Sequence, residues 1–466
     1  MAALYRVTVK RALGLAGVAS LLVIASAGGA PAAPPPVASL AVGYYHTCAL
    51  LPDSVVKCWG SNEYGQLGDG TTKARRSAVR ATQLPGSIRS LTAGAQHTCA
   101  LTSDARVLCW GWNDSGQLGN GTTGERQPPQ AVAGLSNVVA VGAGGLHTCA
   151  LVEGGAVKCW GDNRFGQLGD GTTANSSVPV AVSGLTSGTQ AIAIGGLHTC
   201  ALAAGAVKCW GDNQFGELGD GTTINRRVPV AVKLPRAARA IAAGVAHTCA
   251  LLEDGKMRCW GNNEAGQLGN GDEDVAVVKT PVAVHGLPAG VTQMAAGFAD
   301  TCALTEAGAV YCWGKLFEPT LEQVETLSRG VVGIALAGGD TYDDHACAAM
   351  ASGGAKCWGA NDDGQLGNGF TELLHFKPAT VLGLADGVQV LTIIVSGHGI
   401  VTGSGLRCHD KCGYERASGS TVKLSARPSL GWAFGRWGGA CSGRGKTCTV
   451  SLTASGLVAA HFTKRK

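Results

Sequence analysis

One stretch of the chain decides its fold: residues 139–182, which read VAVGAGGLHTCALVEGGAVKCWGDNRFGQLGDGTTANSSVPVAV. The same pattern recurs seven times between residues 37 and 386. Each copy has one cysteine in an H-T-C-A-L run or a close variant of it and a second in a C-W-G run, and most continue into N-x-x-G-Q-L-G-[DN]-G. A period of about fifty residues is typical of stacked or circular repeat proteins, so the repeat is the unit of the fold.

The two cysteines of a copy predict a β-hairpin. When Cys149 lies opposite Cys159, residues 153–155 form a three-residue loop, a length that favours glycine at its left-handed position. The fourth copy is one residue shorter, yet Cys200 still lies opposite Cys209 across a two-residue loop. The deletion therefore shortens the turn and preserves the pairing of the strands.

Cysteines that lie opposite each other on a hairpin are close enough for a disulfide. Zinc ligation is the alternative, but zinc sites favour cysteines two to four residues apart. We therefore predict seven hairpin disulfides. They are Cys48–Cys58, Cys99–Cys109, Cys149–Cys159, Cys200–Cys209, Cys249–Cys259, Cys302–Cys312 and Cys347–Cys357.

Each copy offers about four short strands, because a short β-branched run precedes the H-T-C segment and a P-V-x-V run follows the G-Q-L-G turn. Four strands make one propeller blade. Seven blades that close into a ring leave few exposed sheet edges. The predicted fold class is all-β: a seven-bladed β-propeller of four-stranded blades plus a small C-terminal β module.

These motifs resemble the regulator-of-chromosome-condensation repeat, and the resemblance covers residues 37–386. It implies a seven-bladed propeller. Copy six departs from the pattern, because Lys315 follows Gly314 where the N-x-x-G-Q-L-G segment should begin, which predicts a shorter loop. Asp300 also stands where the other copies have histidine. The cysteine pairs are a further departure from the intracellular members of the family.

The ends of the chain differ from the repeat. Residues 1–30 have the basic, apolar and small-residue regions of a secretory signal peptide, and residues 31–36 are a proline-rich spacer. We expect no transmembrane segment in the mature chain. Eighteen cysteines, an even number, are typical of an oxidising compartment. We expect a protein that is secreted or held in the cell envelope of a bacterium.

Residues 387–466 alternate between apolar and polar positions and contain glycine and serine turns, which indicates a small β module. The runs V-x-L-x-A-x-P and F-x-x-W-x-G-x-C resemble the divergent internalin B-repeat, a bacterial repeat module. Four cysteines allow three connectivities. We favour the local pairs Cys408–Cys412 and Cys441–Cys448.

Catalytic and nucleic-acid signals are missing from the sequence. The net charge is only +5 and no basic run is long, so we expect no nucleic-acid partner. We found no nucleophile elbow, H-E-x-x-H pair or phosphate loop in a suitable context. We expect no enzyme, no cofactor, no metal and no cluster of carboxylates at a rim. The repeated histidines are interpreted as structural, each with a hydrogen bond inside its own blade.

Binding by loops at a rim of the propeller is what remains. Positions that vary between copies are the candidates, and large aromatic side chains are favoured interface anchors. The candidate binding residues are Tyr44, Tyr45, Tyr64, Trp112, Phe165 and Phe215. The alternative, that these rings cover the turn of a neighbouring blade, stays open. The seven C-W-G tryptophans are instead expected to pack between blades.

We therefore expect a monomeric, non-catalytic protein-binding scaffold whose partner is an unidentified extracellular or envelope protein. The family resemblance implies one specific form, an inhibitor of an extracellular enzyme, because some secreted bacterial members act in this way. A carbohydrate-binding or hydrolytic propeller is the first alternative. Guanine-nucleotide exchange is the second, and it rests on family analogy only.

Overall fold

Seven four-stranded antiparallel sheets follow one another along the chain, and the strands of each sheet are hydrogen-bonded in chain order. Every blade is thus made from one continuous segment, with no strand exchanged between the two ends of the ring. The innermost strand of the first blade contacts the innermost strand of the seventh, as it does that of the second. The predicted all-β, seven-bladed fold is confirmed.

The first four blades share the pattern of one inner strand, a central hairpin and an outer strand. Blade one contains β1 Ser39–Val42, β2 His46–Leu50, β3 Val56–Gly60 and β4 Arg75–Arg80. Blade two contains β5 Ile88–Ala93, β6 His97–Thr102, β7 Val107–Asn113 and β8 Gly124–Ala131. Blade three contains β9 Val138–Ala143, β10 His147–Val152, β11 Val157–Gly161 and β12 Ser176–Ala181. Blade four contains β13 Ala191–Ile194, β14 His198–Ala203, β15 Ala206–Gly211 and β16 Arg226–Ala231.

The last three blades keep this order, although the outer strand of blade six is only two residues long. Blade five contains β17 Ala238–Ala243, β18 His247–Leu252, β19 Met257–Asn262 and β20 Val277–Ala283. Blade six contains β21 Val291–Ala296, β22 Asp300–Thr305, β23 Val310–Gly314 and β24 Glu322–Gln323. Blade seven contains β25 Val331–Ala337, β26 His345–Met350, β27 Ala355–Asn361 and β28 Glu372–Thr380.

Two further four-stranded sheets form the C-terminal module and share one hydrophobic core. Their strands are β29 Val388–Ser396, β30 Gly399–Gly403, β31 Leu406–Cys408, β32 Lys411–Ala417, β33 Thr421–Pro428, β34 Trp432–Gly439, β35 Thr447–Ser451 and β36 Gly456–Lys464. The sheet orders are β32-β29-β36-β34 and β31-β30-β33-β35. The β module is confirmed, while its resemblance to the internalin B-repeat stays a prediction.

The computed structural model describes residues 36–272, 274–316, 321–338, 344–385 and 388–465. The predicted signal peptide and all but the last residue of the spacer lie outside these ranges. One compact unit spans Ala33–Lys466, so the propeller and the C-terminal module belong together. The one helix in the described ranges is a three-residue 3-10 turn, Pro52–Ser54, and none there is long and apolar enough to cross a membrane.

The hairpins have the predicted register. Cys149 lies opposite Cys159 in blade three, and Cys200 lies opposite Cys209 in blade four. The two-residue loop of blade four has positive φ at Ala204 (48°), which the tight turn requires. All nine predicted disulfides are present, including Cys408–Cys412 and Cys441–Cys448 in the C-terminal module.

Glycines allow the blades to meet closely at the ring axis. Gly94 precedes the second strand of blade two, and a Cβ placed on it would lie 2.4 Å from the carbonyl oxygen of Gly144 in the next blade. The same Cβ would lie 2.3 Å from the ring of His97. The glycine of the G-x-x-H motif therefore makes room both for the neighbouring blade and for the histidine.

The repeat histidines and threonines form a belt of hydrogen bonds between blades. Thr98 of blade two donates to the carbonyl oxygen of Gln66 in blade one (2.8 Å). Its hydroxyl oxygen must then accept from Nε2 of His46, also in blade one (2.8 Å). The structural role of the histidines is as expected, but the expected bond inside one blade is wrong: five of these bonds join adjacent blades in sequence, and His345 to Thr47 closes the ring (2.7 Å).

The C-W-G tryptophans use the same carbonyl groups. Trp110 of blade two is fully buried, and its indole N–H donates to the carbonyl oxygen of Gln66 (2.9 Å). It packs in one hydrophobic cluster with Leu67, Cys48 and Val56 of blade one. The core of the propeller therefore lies between blades, as predicted for these tryptophans, and each loop carbonyl serves two donors of its neighbour.

Blade one also holds the segment that leaves blade seven. The buried ammonium group of Lys57 donates to the carbonyl oxygens of Gly383, Leu384 and Ala385 at 2.9 to 3.1 Å. Trp59 donates to the carbonyl oxygen of Gln365 (2.8 Å). These bonds close the ring without an exchanged strand.

Acidification should destabilise the propeller through the belt. Burial lowers the pKa of five belt histidines to about 3 or 4. They are His46, His97, His147, His198 and His247. In the unfolded chain their pKa is near 6.5, so the unfolded state binds more protons below that pH, and each histidine costs about 1.4 kcal/mol for each pH unit.

Between pH 6.5 and 5 the free energy of unfolding should therefore fall, although the raised pKa of Glu217 acts in the opposite direction. Urea denaturation at pH 7, 6 and 5 measures this slope. The variant His147→Gln removes one titrating group and should flatten it. A urea midpoint that stays constant or rises on acidification would contradict the account.

Candidate binding face

One end of the propeller carries the turns between first and second strands and the long loops between third and fourth strands; we call this end the loop face. The opposite end carries the disulfide hairpin loops. All six sequence-predicted binding residues lie on the loop face and are half-buried. They are Tyr44, Tyr45, Tyr64, Trp112, Phe165 and Phe215. Half-burial agrees with both interpretations of these rings, so their binding role stays a prediction.

A buried asparagine fixes the shape of each long loop. In blade three, Oδ1 of Asn163 accepts from the backbone N–H of Leu168 (2.9 Å). Its Nδ2 donates to Asp170, Thr172 and the carbonyl oxygen of Ala174 at 3.0 to 3.2 Å. The N-x-x-G-Q-L-G-[DN]-G motif therefore encodes a loop that is held from inside, which is a rigid support for exposed side chains.

The long loop of blade one and the end of β7 in blade two bring two predicted residues together. The rings of Tyr64 and Trp112 lie 5.4 Å apart between centroids and are tilted by 32°. Tyr64 also lines a groove of about 480 Å³, together with Arg126, Pro128 and Pro129. A pre-ordered aromatic pair beside a groove is the kind of surface that protein interfaces use as an anchor.

The other predicted residues are more scattered. Tyr44 and Tyr45 lie edge to face, 6.3 Å between centroids, and Tyr44 lines a small cavity of about 70 Å³ between the inner strands of the blades. Phe165 and Phe215 lie on the separate loops of blades three and four. The structure thus forms two aromatic pairs and does not gather all six rings.

The contact between blades six and seven lacks the belt. The segment between β23 and β24 of blade six is shorter than the long loops of the other blades, and the buried indole N–H of Trp358 in blade seven has no acceptor among the described residues. Blade seven has Ala346 where the other blades have the belt threonine, and blade six has Asp300 in place of the histidine. The predicted shortening is confirmed: β23 ends at Gly314 and β24 begins at Glu322. Among the described residues, the histidine, the threonine and the loop carbonyl of the belt are therefore all missing at this contact.

A carboxyl pair replaces the belt at this contact. Asp300 accepts from the backbone N–H of Leu316 (2.9 Å), and Asp344 accepts from the N–H groups of Phe298 and Ala299 (2.9 and 2.8 Å). Burial, followed by the charge of Asp344, raises the pKa of Asp300. We assign the proton to Asp300 and the negative charge to Asp344, because two buried carboxylates in contact do not both ionise.

A groove of about 630 Å³ opens between the loops of blades four, five and six; we call it the acidic groove. Its main lining residues are Leu197, Asp212, Phe215, Glu217, Val245, Glu264, Phe298 and Lys315. The carboxyl groups of Asp212, Glu217 and Glu264 therefore line one groove at this rim, where no carboxylate cluster was expected. Only Phe215 was a sequence candidate. The sequence signal for Glu217 was G-E-L-G in copy four, where the other copies with this loop have G-Q-L-G.

Glu217 is the most perturbed carboxyl group of the acidic groove. Its residue surface is 1% exposed, and Oε2 accepts from the backbone N–H of Phe215 (2.8 Å). No side chain in the described residues donates to it. Burial raises its pKa to about 8, and the nearby charge of Asp212 adds to this. Glu217 is therefore mostly protonated at neutral pH when the groove is empty.

Sequence comparison with protein families matches the "Regulator of chromosome condensation (RCC1) repeat". The matched residues are 56–101, 104–151, 155–202, 204–251 and 254–304. A second form of the same repeat matches residues 37–66, 88–117, 138–167, 190–217, 238–267 and 340–365. The first match alone spans more than half of the chain. This chain belongs to the RCC1-repeat family.

Curated relatives are similar over the repeats only. The ultraviolet-B receptor UVR8 of Arabidopsis thaliana is 38% identical over 109 residues, 23% of this chain and 25% of the receptor. The probable E3 ubiquitin-protein ligase HERC4 of Homo sapiens is 39% identical over 101 residues, 21% of this chain and 10% of the ligase. Because the aligned segments span at most a quarter of these relatives, their activities do not transfer.

Solved RCC1-repeat structures share the fold. Yeast RCC1 (Prp20), solved bound to Kap60, superposes with a TM-score of 0.63 at 23% identity and covers 81% of this chain and 92% of its own. Human WBSCR16 superposes with a TM-score of 0.60 at 21% identity and covers 68% of this chain and 87% of its own. At such identities the likeness shows the propeller and nothing finer.

The described part of this RCC1-repeat chain contains no group of three or more His, Cys, Asp or Glu side chains that could hold a metal ion. The chain has no free cysteine. The geometry of the loop face therefore offers aromatic anchors, two grooves and one set of carboxyl groups, which are elements of recognition.

Replacing Glu217 with glutamine should stabilise the free protein. Because burial raises the pKa of Glu217, the folded state of the parent protein loses stability as pH rises from about 4.5 to 8, by about 1.4 kcal/mol for each pH unit. Glutamine does not titrate, so the gain from Glu217→Gln should grow over this range and be small at pH 4.5.

Urea denaturation of both proteins at pH 4.5, 6 and 8 tests this expectation. Glu264→Gln is the matched control, since Glu264 is exposed in the same groove and its effect should not depend on pH in this way. A gain from Glu217→Gln that is equal at all three pH values would show that the buried carboxyl is not the cause.

Proposed function

We propose that this chain is a non-catalytic, protein-binding RCC1-repeat propeller of an oxidising extracellular compartment, and that its loop face holds the partner. The observation that carries the proposal is the Tyr64–Trp112 pair, two large rings 5.4 Å apart. Tyr64 lies on the long loop of blade one, which is fixed from inside, and Trp112 lies at the end of β7. Rigid aromatic side chains contribute large contact area at a low cost in conformational entropy, which favours their use in protein recognition.

The disulfides support the assignment of the protein to an oxidising extracellular compartment. Nine pairs involve all eighteen cysteines of the chain, and such bonds persist outside the reducing cytosol. In a reducing compartment the seven buried hairpin pairs would remain thiols and would not crosslink the two strands of each hairpin. The signal-like residues 1–30 support the finer proposal that the protein is secreted by a bacterium or held in its envelope.

Inhibition of an extracellular enzyme is the most specific form of this proposal. A broad face with an aromatic pair and two grooves suits a folded protein better than a small ligand. A propeller that inhibits an enzyme by covering its active site would need no catalytic residues.

Alanine at Tyr64 and Trp112 should abolish capture of the partner. Immobilised oxidised protein would be offered secreted and envelope extracts, and captured material would be identified by mass spectrometry. We expect one protein to be captured by the parent and lost from Tyr64→Ala with Trp112→Ala, because truncating an anchor pair typically costs about 2 kcal/mol or more for each ring.

The matched control is Phe376→Ala, which removes a 63% exposed ring from the outer strand of blade seven. Equal capture by the parent, the double variant and the control would refute binding at the loop face. Glycan captured in place of protein would favour the carbohydrate alternative.

A further inference from the structure

Blades three and four have nearly the same loop, but the residues around one aspartate of the loop differ in charge. Residues 162–169 read DNRFGQLG and residues 212–219 read DNQFGELG. The two loops differ at two positions, and both differences change charge. One positive side chain is lost and one carboxyl group is gained in blade four, so the chain contains both versions of the same site.

In blade three the carboxylate is satisfied from within. The guanidinium Nε of Arg164 lies 2.9 and 3.2 Å from the two carboxylate oxygens of Asp162. Nε2 of Gln167 donates to Asp162 as well (2.9 Å). The guanidinium group neutralises the carboxylate, whose side chain is only 1% exposed. This is a common arrangement for a carboxylate close to the surface.

In blade four both donors are changed. Gln214 replaces the arginine, and its amide reaches Asp212 only at 3.3 and 3.4 Å. Glu217 replaces the glutamine, so a second carboxyl group stands where the first carboxylate has a donor in blade three. Glu217 is 1% exposed, lines the acidic groove and receives no hydrogen bond from a described side chain. The site resembles that of blade three without its cation.

The rest of the acidic groove suits a planar cation on an apolar stem. Phe215 and Phe298 line the groove, with Leu197 and Val245 beside them. Aromatic faces attract a guanidinium group through its charge and its flat shape. Lys315 lies on the blade-six side; burial raises the pKa of Asp300 and Asp344, and the charge of Lys315 partly offsets that rise.

We propose that the acidic groove binds an arginine side chain of the protein partner, with its guanidinium group on Asp212 in the position that Arg164 takes in blade three. The bound cation favours the ionised form of Glu217, which then supplies a second negative charge behind Asp212. This inference rests on the proposed protein-binding function and names the chemistry of the contact. It also gives a role to a residue that destabilises the free protein at neutral pH, because a cation on Asp212 offsets the cost of the buried carboxyl group beside it.

A pair of blocked peptides tests the contact with the full oxidised chain. The probe is acetyl-Ala-Leu-Arg-Leu-Ala-amide, and its control has citrulline, which keeps the shape of arginine and lacks the charge. Titration calorimetry should show at least about tenfold tighter binding of the arginine peptide, as expected for a charge-assisted hydrogen bond to a carboxylate.

Two variants separate the groove from general charge. Gln214→Arg installs the arginine of blade three and should reduce binding of the arginine peptide at least about tenfold, since it fills the site from within. Glu217→Gln restores the residue of the other loops and should remove most of the preference over citrulline. Ser187→Arg adds the same charge at an exposed position between β12 and β13, at the opposite end of the propeller, and should change nothing.

Equal affinity for the two peptides, no binding of either, or full binding by Gln214→Arg would overturn the inference. Capture of the partner gives a separate answer on the proposed function. If Gln214→Arg captures the partner fully and the Tyr64 and Trp112 variant does not, the arginine contact is wrong and protein binding by the loop face stands. If both variants capture it fully, both proposals fail.

Discussion

The structure depends on one junction that is repeated around the ring: a loop carbonyl that accepts hydrogen bonds from the tryptophan and the threonine of the next blade. In the first junction the carbonyl belongs to Gln66, and the donors are Trp110 and Thr98, at 2.9 and 2.8 Å. All of these groups are buried, and a buried donor without an acceptor costs about 1–3 kcal/mol. A blade is therefore satisfied only when its neighbour is in place, which makes the ring a cooperative unit.

The contact between blades six and seven is the exception, and there the partners of the junction are replaced together. Where blade six lacks the loop, Ala346 replaces the threonine, Asp300 replaces the histidine, and the indole N–H of Trp358 is left without an acceptor among the described residues. Threonine without the carbonyl and the histidine would be a buried hydroxyl without partners, so alanine is the better residue there. A shared carboxyl pair, Asp300 and Asp344, takes over the polar contact.

The same loops connect stability with recognition. Each long loop contributes its glutamine or glutamate carbonyl to the junction and holds its buried asparagine, while its outer residues face the solvent. Tyr64 thus sits two residues before the carbonyl that anchors blade two. A loop with such ties has little freedom, so the rings and carboxyl groups that it presents are pre-ordered for a partner.

Sequence patterns predicted what is local, namely the hairpins, the shared register of Cys149 and Cys159, the nine disulfides and the short loop of blade six. They could not show that His46 is hydrogen-bonded to Thr98 of blade two, because this contact forms only when the blades are assembled in the ring. Nor did they single out Glu217, since a change from glutamine to glutamate reads as conservative in a loop that is assumed to face the solvent. Burial and the neighbouring Asp212 make it unusual, and both follow from packing.

A double-mutant cycle between blades tests the central claim most directly. His97 of blade two and Thr148 of blade three are joined at 2.9 Å, whereas His97 and Thr199 of blade four are not in contact, because Thr199 is joined to His147. The account predicts a coupling free energy of about 1–2 kcal/mol for His97→Ala with Thr148→Val, and additive effects within about 0.5 kcal/mol for His97→Ala with Thr199→Val. Additive effects in both cycles would contradict the claim that hydrogen bonds between blades hold the ring together.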